Sequence, residues 1–178
     1  EQNIWAGWAH NMAMPVDLYL ANDGKTVIRE PIKEMESLYD ETLYSYNGDP
    51  LNVAQMNEQI SQLRGDALEI KAHVNLNPTS ENYNSGLYVR YNKNVVNDKT
   101  ERTAITLSNN GAYVDRLLST VTTTVDRSDT NTYTTSGNEF DLTILLDRSL
   151  LEVYINNEIT LTTRIYPKYG DSDYLSFF

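Results

Sequence analysis

The chain of 178 residues contains no cysteine, which excludes disulfides, thiol nucleophiles and cysteine-ligated metals together. Histidine is nearly as scarce. His10 and His73 stand far apart, and neither has a partner at the spacing a zinc site needs. Asp126-Arg127-Ser128-Asp129-Thr130-Asn131 has the look of a calcium loop without its spacing or its following Gly and Glu. No apolar run approaches the ~20 residues of a membrane helix. Basic residues are outnumbered, 14 against 25 acidic, for a net charge of −11. Such a field repels phosphate backbones and anionic lipid surfaces, so neither nucleic acid nor a membrane is an expected partner. There is also no Gly-rich phosphate loop and no Gly-x-Ser-x-Gly elbow, and no cofactor or metal is expected.

What the chain does have is period-two alternation of apolar residues, broken by Asn, Asp, Gly and Pro clusters. Val16–Leu20 and Thr26–Ile32 flank Asn22-Asp23-Gly24 and read as a hairpin. Ala67–Val74 and Gly86–Tyr91 alternate cleanly. Arg102–Leu107 and Ala112–Leu117 flank Asn109-Asn110-Gly111. Phe140–Leu146 turns through Asp147-Arg148-Ser149 into Leu151–Ile155, and Asn156-Asn157 leads into Ile159–Ile165. Many short strands joined by polar turns predict an all-β fold, an antiparallel β-sandwich of the jelly-roll or concanavalin-like kind. One segment, Val53–Leu63, places Val53, Met56, Ile60 and Leu63 at near-helical spacing. It is short and poorly capped, and stays open between helix and loop.

Two kinds of residue could carry chemistry. Glycoside hydrolysis needs two carboxylates across a sugar. Asp141, Asp147 and Glu152 surround one hairpin, but Asp147 is a turn residue suited to bonding local amides. Glu152 on the return strand points either towards a ligand or towards solvent. Aromatics are the other kind: tyrosine is abundant, 13 against 3 phenylalanines, and it joins an apolar face to a polar tip that suits sugars. Trp5 and Trp8, beside His10 and Asn11, form the densest cluster of this type. It is either a sugar-facing group or an apolar plug at a domain junction.

Gly7-Trp8-Ala9-His10-Asn11, Met14-Pro15-Val16-Asp17-Leu18 and Glu30-Pro31-Ile32-Lys33-Glu34-Met35-Glu36-Ser37-Leu38 resemble one stretch of glycoside hydrolase family 32. That family contains levanases, inulinases and invertases. Asp147-Arg148-Ser149-Leu150-Leu151-Glu152-Val153-Tyr154, followed by Thr163-Arg164-Ile165-Tyr166-Pro167, resembles its C-terminal sandwich most specifically. The resemblance implies that residues 1–35 are the last piece of the catalytic propeller with a linker, and that 36–178 are the C-terminal sandwich module. It implies a piece of a longer extracellular or periplasmic hydrolase.

The family's catalytic motifs do not match: Asn47-Gly48-Asp49-Pro50 is only superficially similar to the nucleophile's motif, and a Glu-Cys pair is impossible without cysteine. The expectation is therefore a non-catalytic accessory module that stabilises a fructan- or sucrose-hydrolysing propeller, its partner in cis or in trans. The alternative is a carbohydrate-binding module for the fructose ends of levan or inulin. Tyr88, Arg90, Arg116 and Glu152 are its candidate ligands on the sandwich, and by resemblance Trp8, His10 and Asn11 border the sugar pocket of an intact enzyme.

Overall fold

A computed structural model describes residues 11–76, 84–92, 100–108, 111–121, 128–129 and 137–178. The strands in chain order are β1 (Val16–Leu20), β2 (Val27–Pro31), β3 (Ala67–Asn75), β4 (Asn84–Tyr91), β5 (Thr103–Ser108), β6 (Gly111–Asp115), β7 (Ser128–Asp129), β8 (Glu139–Asp147), β9 (Leu150–Ile155), β10 (Ile159–Arg164) and β11 (Tyr174–Phe177). They form a two-stranded ribbon β1-β2, a four-stranded sheet in the order β10-β9-β8-β3 and a five-stranded sheet in the order β11-β4-β5-β6-β7. Every pairing is antiparallel. The all-β sandwich expected from the alternation is the fold observed.

Alternation explains the layering. Leu87, Val89, Ile105, Leu107 and Val114 of the five-stranded sheet meet Phe140, Leu142, Ile144, Leu146, Leu151, Val153 and Ile155 of the other in one apolar core. Each such side chain contributes about 1.5–3 kcal/mol when fully buried. The turns follow from their residues. Asn156 and Asn157 both take positive φ, 52° and 55°, in the tight β9–β10 hairpin, as a two-residue primed turn demands. In the β1–β2 turn Gly24 sits at φ 67°, and the Asp23 carboxylate accepts from the amides of Lys25 and Thr26 and from the Thr26 hydroxyl.

The segment left open between helix and loop forms a helix, α1 (Val53–Gln59), and it is well capped. Asn52 accepts from the Gln55 amide while the Gln55 side chain accepts from the Asn52 amide, a reciprocal capping box. The helix also closes a sheet edge. The Asn57 side-chain amide donates to Phe177 O at 2.8 Å and accepts from Phe177 N at 2.7 Å, pairing with β11 as a neighbouring strand would.

The four-stranded sheet is covered on its second face as well. Residues 11–38, comprising the β1–β2 ribbon and a 3-10 helix over Lys33–Leu38, lie across it. Met14, Val16, Ile32 and Met35 pack there on Leu145 and Tyr154 in a second, smaller apolar cluster. The ribbon is further tied to the β9–β10 turn: Arg29 donates to Asn157 O from its amide and to Glu158 O from its guanidinium, and Asn157 donates to Glu30.

Candidate functional site

The residues singled out as sugar ligands are spread over the sandwich. Trp8 and His10, like Trp5, lie outside the described residues, and Asn11 is exposed. Tyr88 sits on β4 between two residues that face the core, Leu87 and Val89, so its ring lies on the outer side of the five-stranded sheet. There it stacks on Phe178 at 4.3 Å between centroids, and the Arg102 guanidinium lies 4.7 Å from the ring centre.

Arg90 occupies a β-bulge, where Val89 and Arg90 together oppose Leu175. The bulge holds Arg90 at φ 50°, a left-handed conformation uncommon for a residue with a side chain. Its guanidinium is largely buried and stands 3.6 Å from Asp66 Oδ2, an ion pair without a hydrogen bond. Burial lowers its pKa, against the opposing pull of Asp66, but the group starts so high that it stays charged. Arg116 donates to Arg164 O at 3.0 Å. Both arginines therefore link the two sheets at the same end of the sandwich, where β4 and β6 finish, β3 begins and β10 ends.

Glu152 is placed elsewhere. It is 1 % exposed and faces outward from the four-stranded sheet into the layer formed by residues 11–38. One oxygen accepts from the Met14 amide at 2.9 Å and the other from the Tyr154 hydroxyl at 2.6 Å. Burial and the neighbouring carboxylate push the Tyr154 phenol far above its ordinary value, so it remains a donor. The carboxylate thus ties the ribbon to the sandwich. Tyr88 and Glu152 lie on opposite outer sides of a two-sheet core about 10 Å thick, too far apart for one sugar ring to touch both.

A second buried carboxylate escaped the sequence reading. Glu101, fully buried, accepts from the amides of Val121, Lys168 and Tyr169 and from the Ser172 hydroxyl at 2.7–3.0 Å. It fixes two loops at the end of the sandwich where Arg90 and Arg116 lie. Nothing in Thr100-Glu101-Arg102 signals this, because all four donors come from distant segments.

Among the described residues two surfaces are open to a partner or ligand. On the ribbon, the face that buries Val16 against the sheet continues outward with Leu18, 62 % exposed, Leu20, 58 % exposed, and Val27 across from Leu20. Met12, Leu38 and Leu43 are exposed nearby in sequence. Between the 30–39 segment and the outer face of the four-stranded sheet lies a crevice of about 190 Å³. Glu30, Pro31, Ile32, Lys33, Glu36 and Tyr39 form one wall. Glu69 and Lys71 of β3, Thr143 of β8 and Asn157 form the other. Among the described residues no group of His, Asp and Glu side chains is arranged to hold a metal ion.

Residues 34–178 match the family described as glycosyl hydrolases family 32, C terminal. The chain belongs to glycoside hydrolase family 32, as its C-terminal domain. Solved structures agree on the fold. Exo-inulinase from Aspergillus awamori superposes with a TM-score of 0.65 at 18 % identity, covering 91 % of this chain and 31 % of that one. Fructan 1-exohydrolase IIa from Cichorium intybus gives 0.53 at 16 % identity, over 93 % of this chain and 37 % of the enzyme. A β-fructofuranosidase from Schwanniomyces occidentalis gives 0.51 at 14 % identity, over 93 % and 36 %. The family 32 chain thus spans about a third of the length of these enzymes. Comparison with curated proteins gives no match. No helix among the described residues is long and apolar enough to cross a membrane.

Proposed function

We propose that this family 32 domain is a non-catalytic accessory module that docks on and stabilises the catalytic propeller of a fructan- or sucrose-hydrolysing enzyme. The observation that carries this reading is the ribbon. Its apolar face is anchored by Val16 in the packed layer and then runs into solvent through Leu18, Leu20 and Val27. Contiguous exposed apolar side chains on an ordered element mark an interaction surface. The solved relatives contain about twice as much chain again beyond the matched third, which supplies a partner of the right kind. Residues 1–35 belong in this reading to the edge of that propeller, and 36–178 to the module proper. With polymeric fructan as the substrate, this reading goes with a setting outside the cytoplasm.

The test is association of this chain with the cognate propeller, expressed separately and followed by sedimentation velocity. The wild-type chain should form a 1:1 complex and raise the propeller's melting temperature. The Leu18→Asp/Leu20→Asp variant, which touches no core contact, should do neither. Equal complex formation by both would remove the ribbon from the interface, and no complex with the wild-type chain would sink the reading.

Carbohydrate recognition is the second reading. Tyr88, Arg90, Arg116 and Glu152, placed on different sides of the sandwich, lend it little; its support is the polar crevice beside the 30–39 segment.

A further inference from the structure

We infer that the crevice between the 30–39 segment and the four-stranded sheet binds one uncharged sugar ring, free or at the end of an oligosaccharide, through Lys33, Glu36 and Thr143. The inference rests on the second reading above and gives it a place that none of the residues chosen from the sequence occupies.

The polar groups of the crevice divide into those already used and those left over. Tyr39 donates to Glu69 Oε1 at 2.8 Å, Lys71 lies 3.1 Å from the same oxygen, and Asn157 donates to Glu30 Oε1 at 2.7 Å. These bonds fix the walls. Lys33, Glu36 and Thr143 line the same space, without a side-chain hydrogen bond or ion pair to any other described residue. They offer a donor, an acceptor and a group that does both. The crevice therefore joins walls that are already fixed to polar groups that face solvent, Lys33 and Glu36 exposed and Thr143 half-buried, and that a ligand can reach.

Charge and size narrow the ligand. Three carboxylates and two ammonium groups share the walls. An anion would meet Glu30, Glu36 and Glu69, and a metal ion would meet Lys33 and Lys71. A vicinal polyol suits the mixture, since each hydroxyl both donates and accepts and can lie between an ammonium and a carboxylate. Pro31, Ile32 and the Tyr39 ring give the apolar wall that the C–H side of a sugar covers. At about 190 Å³ the space is smaller than the ~300–1,000 Å³ of drug-sized pockets. It fits one ring, with the rest of an oligosaccharide in solvent.

The test is a two-dimensional amide NMR titration of the chain with fructose, glucose, an inulin-type trisaccharide and, as controls, inorganic phosphate and calcium. Sugar should shift the amides of Glu36, Lys71, Thr143 and Asn157 together and saturably. Glu36→Gln combined with Thr143→Val should weaken binding about five- to tenfold, as the loss of one or two hydrogen bonds implies, with the spectrum otherwise native. Tighter binding of the trisaccharide than of either hexose would identify a chain end as the ligand, and equal binding a free ring. Shifts at other amides, unaffected by the double variant, would overturn the crevice while leaving carbohydrate recognition standing. No shift with any sugar would overturn both, and a larger response to phosphate or calcium at the same amides would overturn the uncharged ligand.

Discussion

Glu152 provides the sharpest test of whether the carboxylate of the β9 strand is scaffold or ligand. Replacing it with alanine removes the acceptor of the Met14 amide and of the Tyr154 hydroxyl in a site 1 % exposed. Each hydrogen bond to a charged acceptor contributes about 1.5–3 kcal/mol, and the Tyr154 hydroxyl would be left buried without a partner. Against this stands the recovered cost of burying the carboxylate, which offsets part of the loss. The balance is about 2–4 kcal/mol of lost stability, and it should appear with no sugar present. Glutamine can still accept from Met14 through its carbonyl and donate to the Tyr154 oxygen through its amide. Glu152→Gln should therefore lose only about 1 kcal/mol. Urea denaturation followed by circular dichroism reads both values, as a shift in midpoint at nearly constant slope. If Glu152→Ala unfolds within about 0.5 kcal/mol of the wild type, the carboxylate does not hold the ribbon to the sandwich.

Three further outcomes are expected. The Tyr154 phenol is held neutral by burial and by Glu152, and the Tyr39 phenol is pushed up to about 12 by burial and by Glu69. Both folded values lie above the unfolded one near 10, so their contribution is complete below pH ~10 and fades as pH climbs through the folded values. Alkaline melts should show that decline, flattened in Tyr154→Phe. His73 bonds Asp141 at 2.8 Å on an exposed face, which raises its pKa. Its NMR titration midpoint should lie above that of a free histidine and return to it in Asp141→Asn. The added charge interaction favours the fold only at lower pH, and weakly at the surface. Gly86 leaves no room for a side chain: a Cβ there would stand 1.9 Å from Ile105 O and 2.9 Å from the Phe178 ring. Gly86→Ala should reduce stability by about 3 kcal/mol or more, measured by the same urea method, and an unchanged midpoint would show that β4 and β5 can separate locally.

Strand positions were legible because each strand exposes one face to a dry core and alternation records it directly. Ala67–Val74 and Leu151–Ile155 differ from the observed strands by one residue at one end, and Phe140–Leu146 by one residue at each end. Alternation also puts Leu150, Glu152 and Tyr154 on the side of β9 away from the core. It says nothing of what covers that side, and a separate ribbon does so. Hence a residue read as facing solvent or ligand proved to be buried and bonded. The capping box is written in Asn52-Val53-Ala54-Gln55, but the apolar pattern after it is too short to mark a helix by periodicity. β11 is four residues long and follows Tyr169-Gly170-Asp171-Ser172, where turn residues drown a short strand signal. The crevice could not have been read at all: its two walls are joined only by the fold of the 30–39 segment onto β3 and β8.

The second apolar cluster bears on how such modules can be exchanged between enzymes. A sandwich cut at residue 36 would leave behind Met14, Val16, Ile32 and Met35, baring Leu145 and Tyr154 and stripping Glu152 of the Met14 amide. Recombination within the family at that seam would deliver a domain with an open flank and a stranded charge. A transplant that carries the ribbon along keeps the flank closed and leaves Glu152 its Met14 partner.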